Sequence, residues 1–453
     1  MTVMAKEREQ WTGRVGFIFA AAGSAVGLGN IWRFPTAVGQ NGGGAFVLTY
    51  LVIIFLIGIP VMIAELVVGR RTQRNVIGAF KVLVPGSVWV VIGVLGVAAG
   101  FIILSFYSVI AGWSVAYIFK FVAGHFYNIS PGLVAREFEA MTSAPLQPLF
   151  WHGLFMAATI GVVLLGVARG IERWSKVLMP ALVVLLVILA GRAITLEGAA
   201  EGIYWLLRPD FARLDLAIIL GALGQVFFSL SLGMGAMLTY GSYLSRKEDI
   251  PGSAVYIALT DLAIAMLAAL IIIPAVFAFG FDPQIGPPLI FITLPAVFSF
   301  MPLGWFFGIL FFVLLSIAAL TSAISLLEVV VAWFIDELGW RRPTASILAG
   351  LGIFLLGIPS SLSMGLWADV QVFGLTFLGL FDTMTTNFIL PLGGLLLVLF
   401  VGWRWGTAKA LGEIRQEGVA FTLGSVWAVL VRFVLPLALA YILVSSVIAA
   451  FTP

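Results

Sequence analysis

"GSAVGLGNIWRFP", Gly23 to Pro35, continues an apolar run that begins near residue 15 and is long enough to cross a membrane. It holds three glycines in seven residues, then Asn30, Arg33 and Pro35. Glycine costs up to about 1 kcal/mol in a helix interior and proline about 3 kcal/mol. In hydrocarbon, each unsatisfied backbone group costs several kcal/mol more. A break here is tolerable only where protein, water or a ligand meets the freed groups. Freed carbonyls offer oxygens to a cation, and freed amides face an anion.

Composition supports the membrane setting. The 453 residues are 62% hydrophobic, with a mean hydropathy of +1.14, and only 10% are charged. Soluble domains carry about 25% charge, so lipid must solvate much of this surface. The net charge of +3 comes without a long basic run, which excludes a nucleic-acid partner. Cysteine is absent, which removes disulfide and thiolate chemistry. His125 and His152 are read as lying outside the long apolar runs, which argues against a histidine-bound metal in the membrane. The polar start "MTVMAKEREQW" lacks the features of a cleaved signal, so the first span is expected to be retained.

Eleven spans are expected, near 15–37, 45–69, 86–119, 152–168, 174–191, 215–243, 253–280, 304–335, 344–360, 372–401 and 424–450. "ARGIERWSK" reads as a short connection between the fourth and fifth. With the N-terminus in the cytoplasm, seventeen of the 24 Lys and Arg residues fall inside and five outside; Arg33 lies within a span and Arg432 is ambiguous. That bias sets the orientation and places the C-terminus outside. The external segment "FDPQIGPPLIFITLPAVF" reads equally as a helical hairpin dipping inward or as a capped interfacial loop.

A second break falls near 231–235, within "GALGQVFFSLSLGMGAMLTYGSY". Close helix packing through small residues is the competing reading of either break alone. Their pairing favours function, because they occupy the first and sixth spans, matching positions in two five-span halves. Paired interrupted helices point to a secondary-transporter site. Five spans per half make the repeats inverted and leave the eleventh as an addition. The fold class is thus an all-α polytopic membrane protein of eleven transmembrane helices, a five-plus-five inverted repeat with discontinuous first and sixth helices. Its divisions are a cytoplasmic segment 1–14, repeats 15–191 and 215–401, an extracellular loop 192–214, a cytoplasmic loop 402–423, and an eleventh helix with an external end, 424–453. Asp261, in "YIALTDLAIAML", is an intramembrane carboxylate and hence a functional candidate; capping a helix near cytoplasmic water is its alternative. Thr321 and Ser322, in "AALTSAIS", either offer hydroxyl oxygens or back-bond to the preceding turn.

Together, "REQW", "GRVGFIFAAAGSAVGLGNIWRFP", "NGGGAF", "GQVFFSLSLGMGAMLTYGSY" and "AALTSAIS" resemble bacterial amino-acid transporters of the neurotransmitter:sodium symporter family, over nearly the whole chain. The resemblance implies alternating access that couples sodium to an amino acid, two sodium ions and no organic cofactor. One sodium would meet the carbonyls of Gly23, Val26 and Ala318 and the hydroxyls of Thr321 and Ser322. The other would meet the Ala25 carbonyl, Asn30, Ser229, Asp261 and the substrate carboxylate. The leucine-transporting members have threonine at Ser229, asparagine at Asp261, and glutamate one turn on, at Ala265. Asp261 then supplies the fixed negative charge, which implies chloride independence.

The substrate carboxylate would meet the amides of Leu28 and Gly29, at the positive end of a half-helix, and the Tyr107 hydroxyl. The amine would face carbonyls at Ala25, Phe228 and Ser231. Ile103, Phe228, Ser231, Met234, Ser322, Ser325 and Leu326 would receive the side chain. Met234 is adaptable, and a pocket with no buried counter-charge disfavours Lys or Glu side chains. The expected substrate is a hydrophobic, including aromatic, L-amino acid. The resemblance also implies an outer gate of Arg33, Phe228 and Asp382, with interfacial snorkelling of Arg33 as the alternative. It implies an inner gate of Arg8, Trp11, Tyr243 and Asp336, and a hinge from Gly170 to Pro180. The partners are membrane lipid, sodium and the amino acid, with no obligate protein partner, and the location is the plasma membrane. An ion channel, a membrane enzyme and a non-transporting sensor are the competing classes. No histidine cluster, thiol or acid pair supports the enzyme.

Overall fold

The computed structural model describes residues 9–281 and 289–451. Arg8 and most of "FDPQIGP" therefore lie outside the described residues. Helices account for the architecture, and the one β-type pairing among the described residues is a single bridge between Val372 and Leu375.

Nine continuous helices among the described residues are long and apolar enough to span a membrane. They are Gly44–Thr72, Val90–Val122, Gln147–Leu164, Val167–Ile194, Ile250–Ala278, Gly304–Leu338, Arg342–Leu362, Phe377–Ile414 and Gly424–Ile448. A tenth span is a broken pair, Arg14–Ala25 and Gly29–Gln40, bent by 48°. An eleventh is split more severely, into Leu216–Ser229 and Ala236–Gly241. These are the expected eleven segments, with interruptions in the first and sixth.

The two breaks have different local causes. In the first, Val26 turns extended (φ −80°, ψ 106°), and the helix resumes within three residues. In the sixth, Ser231, Gly233 and Gly235 take φ of 54°, 76° and 75°. Three left-handed residues so close together cannot belong to a right-handed helix. Gly233 also lies so close to the Leu390 carbonyl of the tenth helix that a Cβ there would collide with it.

The third and eighth helices pack together along their lengths, and the first packs against the fifth, seventh and eighth. This puts both breaks in the interior. Close approach of the second helix to the sixth depends on Gly69 and Gly241, where a Cβ would meet Leu238 and Leu66 backbone respectively. Between the seventh and eighth spans, the helix Leu294–Phe300 is buried from Leu294 to Phe298, and the Phe291 carbonyl just before it accepts from Tyr117 Oη at 2.7 Å. The described part of that segment is a packed, inward-set helix and not a surface loop. Nearby, a hydrogen bond from Lys120 holds the Glu137 carboxyl below its ordinary value and ties helix Pro131–Ser143 to the third span.

Three expectations need correction. "ARGIERWSK" is no connection: the turn falls at Gly166 (φ 85°), and the fifth helix starts at Val167. Gly170 lies in a π-helical first turn and Pro180 well inside the following α-helix, so the segment between them is wound. His152 is fully buried inside the fourth helix, with its ring 4.6 Å from that of Phe354. Neighbouring helices cover one face of its first two turns, the face that carries Pro148 and His152, where charge-based reading of the sequence sees only a helix end. The tenth helix also runs on to Ile414, through a π-helical stretch at Phe400–Gly406.

Gly233→Ala is expected to destabilise the protein by about 1–3 kcal/mol, through its positive φ and the collision with Leu390. Thermal unfolding of the purified protein in detergent measures this, and an unchanged midpoint would contradict the close approach.

Candidate functional site

The polar groups freed at the first break converge with side chains from three other helices, the third, sixth and eighth. Gly27 N–H donates to Asn30 Oδ1 at 3.1 Å. Leu28 N–H donates to Tyr107 Oη at 3.0 Å. The Gly29 carbonyl accepts from Gln225 Nε2 at 2.7 Å. The Ser24 carbonyl accepts from Ser231 and Ser322, each at 2.9 Å.

Below these lies a cluster of neutral oxygens. Ser322 Oγ is 3.1 Å from the Val26 carbonyl and 3.4 Å from that of Gly23. Thr321 Oγ1 is 2.9 Å from the Ala318 carbonyl and 3.3 Å from that of Val26. Back-bonding of Thr321 and the bridge to the first helix thus occur together. Three carbonyls and two hydroxyls, with no charge among them, form a donor set suited to a small hard cation.

Asp261 is fully buried, close to the break. Its Oδ1 accepts from Asn30 Nδ2 and Ser229 Oγ, each at 2.7 Å, and Oδ2 accepts from Tyr50 Oη at 3.0 Å. It caps no helix end, since it lies mid-way along Ile250–Ala278. No Lys or Arg side chain pairs with it among the described residues. A carboxylate buried so deeply needs a counter-charge, and neutral donors alone face it here.

Between the two clusters is a narrow cavity of about 20 Å³, lined by Ser24, Ala25, Gly27, Gly29, Ile103, Tyr107, Phe228, Ser231, Met234, Ser322 and Leu326. That is room for roughly one water. Nine of the expected substrate-site residues line it. Leu28 and Ser325 do not. Leu28 meets Tyr107 through its amide, so the two groups expected to hold a carboxylate contact each other. Ser325 stands behind the wall, where its Oγ is 2.7 Å from that of Ser24. Ser24 and Gly27 were missed, although both fall in the stretch that opened the reading.

Both ends of the cavity are closed. On the outer side, Arg33 pairs directly with Asp382 at 3.0 Å and also donates to Thr386 at 3.1 Å. Its guanidinium lies 4.8 Å from the centre of the Phe228 ring. On the inner side, Trp11 Nε1 donates to the Tyr240 carbonyl at 3.0 Å, and its backbone N–H to that of Tyr243 at 3.2 Å. Asp336 accepts from the Asn75 backbone and side chain, at 2.8 and 3.3 Å; its expected partner Arg8 is outside the described residues.

A further inner network was not anticipated. Tyr243 Oη donates to Glu328 at 2.6 Å, and Arg342 forks onto both oxygens of Glu328, at 2.7 and 3.0 Å. Arg342 also reaches Glu9, which accepts from the first amide of the fifth helix, Val167, at 2.9 Å. Glu172 accepts from the Thr12 amide at 2.8 Å and from its hydroxyl. The segment before the first span is thereby tied to the fifth, sixth, eighth and ninth helices.

Paired interruptions at the core of an inverted helical bundle, closed on both faces, define a secondary transporter. The sodium:neurotransmitter symporter family model matches residues 8–127 and 148–453, and the chain belongs to that family. It is accordingly a multi-pass, sodium-coupled membrane transporter and not an enzyme. An uncharacterized sodium-dependent transporter of Bacillus subtilis, YhdH, is 45% identical, across 95% of this chain and 96% of its own. One from Haemophilus influenzae is 38% identical, across 98% and 100%. A solved structure of MhsT in complex with L-phenylalanine matches with a TM-score of 0.91 at 49% identity, covering 97% of this chain and 100% of that one.

Arg342→Gln leaves the Glu328 carboxylate buried without its cation, a loss of about 3–5 kcal/mol when one partner of a buried pair is removed. The inner side should open more often. The chain has no cysteine, so alkylation of a single Cys introduced at Ser325 reports this. A faster rate in the Arg342 variant is expected; an equal rate would remove the network from the inner closure.

Proposed function

We propose that this protein carries a hydrophobic L-amino acid, aromatic ones included, into the cell with two sodium ions and without chloride. The proposed orientation is that of the charge bias, with the N-terminus cytoplasmic, the C-terminus external, and repeats 15–191 and 215–401 moving against each other. The observation that carries the reading is the convergence of the Gly23, Val26 and Ala318 carbonyls with Thr321 and Ser322, beside a cavity walled by Tyr107, Phe228 and Met234. The likeness to a phenylalanine-bound relative supports the substrate class.

In this reading, the neutral cluster takes one sodium. A site of five neutral oxygens is split when the eighth helix moves from the first, which frees the ion. The Ala25 carbonyl, Asn30, Ser229 and Asp261 take the other. Asn30 then turns its amide oxygen from Gly27 toward the ion. The substrate carboxylate joins that second cation, so each raises the other's affinity, a coupling that is reciprocal in free energy. Asp261 already carries the negative charge, which leaves no deficit for chloride to fill. Tyr107 and the Leu28 amide exchange their mutual contact for the carboxylate, which the Gly29 amide also meets. The cavity must expand to admit a side chain, and unbranched Met234 can give way with little strain.

Opening outward requires Arg33 to leave Asp382 and Phe228. Opening inward requires the Trp11 ties and the Glu328–Arg342 pair to part. Unwinding between Gly170 and Pro180 would then admit water to the neutral ion site. Pro180 supplies no N–H, so the turn before it is already short of one hydrogen bond.

Radiolabelled Phe, Trp and Leu binding to purified protein, in Na⁺ or K⁺ and with or without Cl⁻, tests the proposal. Binding that needs Na⁺ but not Cl⁻ is expected. A chloride requirement would overturn the role of Asp261, and absence of binding in every salt would overturn the substrate class. Asp261→Asn should weaken the sodium dependence of binding. Tyr107→Phe should weaken substrate affinity about tenfold, as one hydrogen bond to a charged group is worth about 1.5–3 kcal/mol. Unchanged equilibrium affinity would remove Tyr107 from the site.

A further inference from the structure

Arg432 is a cation within an apolar span, and no step of transport uses it. It sits in a π-helical turn, Leu430–Val434, of the last helix. Its side chain is exposed, and so are Val429, Phe433, Val434 and Leu437 around it. In a bundle solvated by hydrocarbon, that face meets lipid. None of the ion pairs among the described residues includes Arg432. An intramembrane ionisable residue without a protein partner calls for a partner from elsewhere.

The surroundings are specific. The Arg432 guanidinium lies 4.7 Å from the centre of the Trp403 ring and 5.4 Å from that of Phe433. Trp403 is itself anchored, since its Nε1 donates to the Arg432 carbonyl at 2.8 Å. Gly402 lets the tenth and eleventh helices come this close; a Cβ there would sit 3.0 Å from the Val431 carbonyl and 3.1 Å from Arg432 Cα. The two rings flank the charge, and no side-chain N–H of Arg432 is bonded to protein among the described residues. Its N–H edge suits a planar, forked contact to an oxyanion.

The depth suits a lipid headgroup. Phe400, three residues before Trp403, packs on Phe80 of helix Val76–Leu83 and on Trp89, in the connection between the second and third spans. That connection lies at the inner end of the bundle in the orientation proposed above. Trp403 and Arg432 are then level with the inner interface, where tryptophan and arginine both anchor. Arg404 and Lys409, just beyond Trp403, are exposed as well.

We propose that the seam between the tenth and eleventh helices binds the phosphate of an anionic phospholipid of the inner leaflet through Arg432, with Trp403 and Phe433 orienting the guanidinium. The placement in the inner leaflet rests on the proposed orientation; the phosphate contact does not. A lipid and a free phosphate share the recognised group. The apolar face formed by Val429, Val434 and Leu437 favours the lipid, because acyl chains cover it.

Native mass spectrometry of the full-length protein in detergent, titrated with phosphatidylglycerol, phosphatidylcholine or inorganic phosphate, tests this. Wild type should retain phosphatidylglycerol in preference to phosphatidylcholine. Arg432→Gln should lose about fivefold in that affinity, the loss expected for one juxtamembrane cation, and Arg432→Lys should keep most of it. Equal retention by wild type and Arg432→Gln would overturn the site. Displacement of the lipid by millimolar inorganic phosphate would overturn the lipid as ligand. Should Arg432→Gln not fold, the wild type alone decides, since equal retention of the two lipids also overturns the proposal. Sodium-dependent amino-acid binding in the same preparations keeps this result separate from the transport reading.

Discussion

Every backbone group released inside the bilayer must find a partner, and that constraint organises this protein. Two helices are broken at its core. The amides and carbonyls so freed are met by side chains from the second, third, sixth and eighth helices. Glu65 shows the pattern at the sixth-helix break. It is buried in the second helix and accepts from the amides of Gly233, at 2.7 Å, and Leu238, at 3.3 Å. Tyr107, Gln225, Ser231 and Ser322 do the same for the first break. The Tyr107, Ser231 and Ser322 contacts border the cavity, so the first break is both satisfied and within reach of a ligand.

The same constraint decides which parts of the site are legible in the sequence. Glycines, serines and an isolated aspartate in apolar spans announce themselves, because each is costly unless something compensates it. Gly29, Gly233 and Asp261 are visible on that ground, the roles of Thr321 and Ser322 come only from the family resemblance, and the pairing of the breaks locates the core. Glu65 and Glu328 carry the same signal, a lone acid in an apolar run, but lie outside the segments that carry the breaks. Arg342 was less visible. At a helix start beside Arg341 it reads as one more inside cation, and only the fold brings Glu328, fourteen residues earlier, onto it.

Helix boundaries near charges were legible only in part, for a related reason. "ARGIERWSK" has the charge density of a loop, yet it forms the first turns of the fifth helix. Its charges are spent locally. Glu172 takes the Thr12 amide and also pairs with Lys176, so the helix start is held by the segment that precedes the first span. Charge marks the membrane boundary, while hydrogen bonding marks the helix end, and the two need not coincide. His152 shows the converse, a polar residue near a span limit that tertiary packing buries completely.

Closure at both ends follows from how the two gates are built. The Arg33 end is held by one ion pair, Arg33–Asp382, with side chains 28% and 40% exposed, backed by Thr386 and the Phe228 ring. Such partly wet pairs contribute little, so a small bias suffices to open it. The other combines the buried Glu328 carboxylate with a forked arginine, a tyrosine and the Trp11 ties, although Arg342 is itself 15% exposed and reaches the half-exposed Glu9. It opens only when several contacts part together. In the proposed orientation, that asymmetry would favour outward exposure unless something at the core alters the balance. The elements that would do so are already in contact with it. Tyr240 and Tyr243, which receive Trp11, lie on the same sixth helix as Ser229, Ser231 and Met234. Glu328 lies two turns from Ser322 on the eighth. Filling the core would therefore act on that closure through the second half of the sixth helix and the continuous eighth helix, with no need for a longer route.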